Sequence, residues 1–100
     1  MDLDSIVDQL NSRKQRATYG AVAGITGGIA RGLMHNRSKS HLNSWVVAKS
    51  DGRPTGYTKD QIHPDCLHSI LERPGDVIVD ANVLESWLKG SNRVPTFRQF

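Results

Sequence analysis

From residue 9 to residue 50 the chain carries seven bases (Arg13, Lys14, Arg16, Arg31, Arg37, Lys39 and Lys49) and not one aspartate or glutamate. A segment of that length without a carboxylate presents an electropositive surface in almost any fold. Such a surface attracts phosphate, because neutralising it releases counterions condensed on nucleic acid. Residues 1–8 hold three acids (Asp2, Asp4, Asp8) and no base, and residues 51–100 are nearly neutral, with seven acids and six bases. The net charge of +3 therefore hides a segregation. A solvated basic face with no partner is the plain alternative to a nucleic-acid interface. An anionic membrane surface fits less well, since no long amphipathic helix with a bulky aromatic face is visible.

One hundred residues, 37% apolar and 23% charged, make one soluble globular domain. We expect that domain over residues 1–90, with a flexible tail over 91–100. No apolar run approaches the roughly 18 residues of a membrane span. Met1-Asp2-Leu3-Asp4 lacks the basic-then-apolar pattern of a signal peptide. The single cysteine, Cys66, excludes an internal disulfide. The expectation is a cytoplasmic protein.

Leu3, Ile6, Val7 and Leu10 fall at helical spacing and predict an amphipathic helix over 2–14. Thr18 caps a second helix beginning at Tyr19, with Val22, Ala23 and Ile25 inward, and Gly27-Gly28 stops it. A third short helix is expected over Ile29–His35, completing a helix-turn-helix whose small residues let the two helices approach closely. Trp45–Val47 reads as a strand, Ser50–Pro54 as a turn and Thr55–Tyr57 as a returning strand. Farther on come a helix over Asp65–Leu71, a strand over Val77–Val79, and a helix over Ala81–Lys89. Asp80 caps that last helix and Gly90 ends it, with Val83, Leu84, Trp87 and Leu88 on one side. The fold class is α+β: a winged helix-turn-helix core with a β-hairpin wing, followed by a C-terminal strand and helix.

The run Ala17-Thr18-Tyr19-Gly20-Ala21-Val22-Ala23, then Gly27 and Ala30-Arg31, resembles the winged-helix domain of the O6-alkylguanine-DNA alkyltransferases and alkyltransferase-like proteins. The likeness resumes at Asn43-Ser44-Trp45-Val46-Val47, where that family has Pro-Cys-His-Arg-Val-Val, and extends through Asp51-Gly52 and Thr55-Gly56-Tyr57-Thr58. It covers about residues 15–60. Asn43 falls at the place of the nucleophilic cysteine, and Ser44 and Trp45 replace the following His-Arg. An amide is not a usable nucleophile at neutral pH. The resemblance therefore implies a non-catalytic DNA binder, with Arg31 as the arginine that enters the duplex and Tyr19 near the phosphate of an extruded nucleotide.

The candidate DNA contacts are Thr18, Tyr19, Gly20, Arg31, Arg37, Lys39, Lys49 and Arg53. Thr18 and Gly20 lie at a helix N-terminus, where free N–H groups hold phosphate. Asn43, Tyr57 and Thr58 line a base pocket if one exists. Trp45 either stacks on a base there or fills the core. His63-x2-Cys66-x-His68 contains zinc-competent side chains but fits no zinc module, so no metal and no cofactor is expected. The expected function is duplex DNA binding without catalysis, extending to the sensing of altered bases. The alternatives are a protein–protein adaptor working through the C-terminal half and, more remotely, an enzyme using Cys66 as nucleophile.

Overall fold

Helix α1 (Leu3–Arg13) forms where the apolar spacing places it. The Asp2 side chain caps it by accepting from the Ser5 N–H at 2.8 Å. Ile6, Val7 and Leu10 are buried, and Leu3 packs against them. Lys14 ends the helix in the left-handed region at φ 55°. The computed structural model of the protein describes residues 2–28 and 38–89. The expected third helix over Ile29–His35, with Arg31 and Arg37, lies outside the described residues, as does the expected tail over 91–100.

The chain next forms β1 (Arg16–Thr18), all three residues buried. It is the middle strand of a three-stranded sheet ordered β2-β1-β3, with β2 at Val46–Val47 and β3 at Val77–Ile78. Both pairings are parallel, with Ala17 opposite Val46 on one side and Ile78 on the other. Parallel neighbours need long crossovers rather than tight turns. Residues 19–45 and 48–76 supply them. Among the described residues the fold is thus α+β, with four α-helices and this parallel sheet.

The expected β-hairpin wing is not formed. Thr55–Tyr57 is not a strand; it continues a turn in which Gly56 takes φ 78° and the Tyr57 N–H reaches the Pro54 carbonyl. The physical reason lies in Val46 and Val47. Both are buried, as in a strand covered on both faces, and such strands belong to parallel sheets. Their partner is β1, three residues whose polar–apolar–polar pattern does not announce a strand buried throughout. The expected turn over 50–54 is present, closed by Ala48 N–H to Arg53 O at 2.9 Å and Gly52 N–H to Ala48 O at 2.8 Å.

The remaining helices follow the sequence closely. Thr18 caps α2 (Tyr19–Thr26) by accepting from the Ala21 N–H, and Gly27 at φ 82° ends it. In α3 (Pro64–Glu72) proline occupies the first turn and the His63 ring accepts from the Asp65 N–H. Asp80 caps α4 (Ala81–Lys89) by accepting from the N–H groups of Asn82 and Val83. Leu84 and Leu88 are buried, whereas Val83, expected on the same side, is 56% exposed. The close approach expected between the helices flanking Gly27-Gly28 involves residues outside the described ones; among the described residues, α2 closely meets α4. A Cβ built on Gly24 would stand 2.6 Å from the Ala81 Cβ.

Among the described residues, one lysine or arginine is buried. Arg16 is 1% exposed. Its Nε donates to Ser69 Oγ at 3.1 Å, Nη1 to the Gly52 carbonyl at 2.8 Å, and Nη2 to the carbonyls of Ser69 and Arg73 at 3.3 and 2.6 Å. It ties the sheet to the 48–53 turn and to the end of α3.

Two substitutions test this packing. Gly24→Ala would gain about 1 kcal/mol of helix propensity in the open. Here we expect it to lower the urea midpoint, because the added methyl overpacks the α2–α4 contact by about 1–3 kcal/mol. Arg16→Met keeps much of the volume and removes the donors. The buried Gly52 carbonyl then loses its guanidinium donor, while the Ser69 and Arg73 carbonyls keep the N–H groups of Arg73 and Asp76, and a loss of about 2 kcal/mol in urea unfolding is expected. A loss below about 1 kcal/mol would show that water replaces the guanidinium.

Candidate nucleic-acid interface

The fate of the seven bases decides how electropositive any face can be. Arg16 is consumed by the core. Arg13 lies over the Trp87 ring, its Cζ 3.5 Å from the centroid, and donates to the Trp87 carbonyl at 2.7 Å. Lys14 pairs with Asp65 at 3.1 Å and holds that carboxyl below its ordinary range. The unbroken basic front expected from the sequence is therefore reduced. Lys39 and Lys49 remain exposed, joined by Arg53 and by Lys59, which sequence reasoning did not single out. None of these four forms an ion pair among the described residues.

The best-defined cluster gathers at the start of α2. The Tyr19 hydroxyl accepts from the Thr55 N–H at 2.9 Å, so its own proton is free to be donated outward. The Tyr57 hydroxyl donates to the Asn43 side-chain oxygen, and Lys39 Nζ stands 6.0 Å from the centre of the Tyr57 ring. Gly56 sits under the Lys39 chain; a Cβ there would come within 3.3 Å of Lys39 Cε. Burial, then the nearby Tyr19, push the Tyr57 phenol up to about 12, so it is a neutral donor at physiological pH. Five residues from three separated segments thus meet around one turn, with a cation beside them.

Other expected site residues are placed differently. Thr18 is buried and spends its hydroxyl on the cap, while Gly20 is exposed. Asn43 is 8% exposed, donates to the Ser38 carbonyl at 2.8 Å, and accepts from the Ser40 N–H and from Tyr57. Its amide holds a loop together and has no edge to offer a base. Trp45 is fully buried, its indole N–H donating to Asn11 Oδ1 at 2.9 Å, so it fills the core and stacks on no base. Thr58 is exposed, with its N–H donating to Gln61 Oε1. Of the proposed pocket, only Thr58 is exposed; Tyr57 is half-buried, with its hydroxyl turned to Asn43. Trp45 was legible as core from its apolar neighbours; nothing in the sequence marked Asn43 as buried.

His63, Cys66 and His68 do not converge. Cys66 is buried, its thiol donating to the Ser44 carbonyl at 3.4 Å, and the His63 ring packs between those of Trp45 and His41. Among the described residues no three His, Cys, Asp or Glu side chains come together to hold a metal ion. Burial pushes the Cys66 thiol from 9.0 up to about 11. A protonated, enclosed thiol is a poor nucleophile.

That shift has a measurable sign. The folded protein binds the Cys66 proton more tightly than the unfolded chain does, so the associated stability is complete below pH 9 and is lost as pH rises from about 9 towards 11. Tyr57 acts in the same sense from about 10 towards 12. Urea midpoints should therefore fall above pH 9, and Cys66→Ser should remove the early part of that fall. A midpoint flat to pH 11 would contradict the thiol's burial. Compared with known protein families, curated proteins and solved structures, the chain matches none of them, and the site rests on its own geometry.

Proposed function

We propose that this protein is a non-enzymatic module that binds duplex DNA through the start of α2, Lys39 and the loop over 48–58. The observation that carries the reading is the convergence of Tyr19, Lys39 and Tyr57 on the Thr55–Gly56 turn. The same loop also presents Lys49 and Arg53 to solvent. The Tyr19 hydroxyl, whose proton is not spent on Thr55, and the unpaired cations are groups of the kind that position a phosphodiester backbone, to which most protein–DNA hydrogen bonds go. Arg31 and Arg37, outside the described residues, are further candidates by their place in the sequence. The resemblance to alkyltransferase-like proteins extends the reading towards altered bases. Because Asn43 and Trp45 are engaged internally, we restrict the proposal to backbone-led duplex binding.

Anisotropy of a labelled duplex titrated at several salt concentrations tests it. Affinity is expected to fall linearly with salt on logarithmic axes. Lys39→Ala, Lys49→Ala and Arg53→Ala should each weaken binding to any sequence and lower the salt slope by about 1. Absence of binding at low salt, or binding indifferent to salt, would overturn the reading.

A further inference from the structure

We infer that a groove against α3 docks an acidic, leucine-bearing segment of a protein partner. The groove has a volume of about 310 Å³ and is lined by Arg53, Tyr57, Lys59, Ile62, Leu67 and Leu71. Its floor is apolar. Ile62 belongs to the core, Leu67 packs against the core, and Leu71 is left 61% exposed at the rim. Leu67 and Leu71 are four residues apart on α3, hence one above the other on a single helix face. They offer adjacent seats to two apolar side chains one turn apart on an incoming segment.

The charge at the rim selects the partner. Arg53 and Lys59 form no ion pair among the described residues. Asp60 and Glu72, next to Lys59 and Leu71 in sequence, do not line the groove. Two unpaired cations over an apolar floor complement a short helix that carries leucines on one face and carboxylates beside them, the helix-in-groove mode. A phosphodiester backbone would satisfy the cations but leave Leu67 and Leu71 against a charged, hydrated chain. The occupant we commit to is therefore an acidic amphipathic protein segment. This goes beyond DNA binding, and Arg53 and Tyr57, shared with the proposed DNA face, make the two ligands competitors.

The test uses the whole chain and a fluorescein-labelled synthetic peptide with leucines at i, i+4 spacing and glutamates between them. A twin with lysines for glutamates and a twin with serines for leucines are the controls. Saturable binding of the acidic leucine peptide is expected, and of neither twin. Leu71→Asp and Lys59→Glu, both at exposed positions, should each weaken it about tenfold with the urea midpoint unchanged. Leu71→Asp should leave duplex binding intact, which separates failure of this inference from failure of the DNA reading. The inference is overturned if the lysine twin binds as well, or if Leu71→Asp leaves peptide binding unchanged. It is equally overturned if Leu71→Asp abolishes duplex binding, or if the groove proves to be filled by a second copy of the chain, seen as self-association that Leu71→Asp removes.

Discussion

The structure depends on a buried guanidinium that, among the described residues, bonds no carboxylate directly and feels Asp76 only through its charge. Arg16 sits in the central strand and meets its demand for acceptors with three backbone carbonyls and one serine hydroxyl. Desolvation draws its pKa below the ordinary value. Arginine nonetheless stays charged, so the cost of burying it is borne by those four acceptors. The acceptors belong to the 48–53 turn and to the end of α3, so the guanidinium joins both to β1. Gly52 has no side chain for the same reason: at φ 70°, a Cβ there would lie 2.8 Å from Arg16 Nη1.

That arrangement also explains why charge counting overstated the basic face. A run of bases with no acids reads as surface, because bases without partners ordinarily seek water. Arg16 finds carbonyls instead, Arg13 finds an indole ring and its backbone oxygen, and Lys14 finds a carboxylate on α3. All three partners are distant in sequence, so no local pattern announces them. Tyr19, Lys39 and Tyr57 were legible one by one. Their meeting depends on the Thr55–Gly56 turn folding back over α2, which composition does not reveal. The groove beside α3 was illegible for a similar reason: Lys59 lies in a polar turn, and Leu71 looked like an ordinary helix position.

The helices were written plainly, because their signals are local. Asp2, Thr18 and Asp80 each stand where a side-chain oxygen meets free N–H groups, and Gly27 takes the left-handed turn that ends α2. The sheet was not, because parallel pairing is specified by contacts across long crossovers. Arg-Ala-Thr is only three residues long, and its polar–apolar–polar pattern reads as a half-exposed strand or a loop rather than as a central strand buried throughout. Val46-Val47, read alone, suits a hairpin as well as it suits a buried parallel strand. The parallel register against β1, with both valines buried, separates the two.

The sheet's brevity has a further consequence. Both outer strands are two residues long, and the three-residue strand between them is paired on either flank. Exposed sheet margins are templates on which other chains add and aggregate, and very short margins are one of the ways proteins blunt them. Here the ladder stops almost as soon as it starts. Misassembly by strand addition is thereby denied a foothold, even though the sheet lies at the centre of the fold.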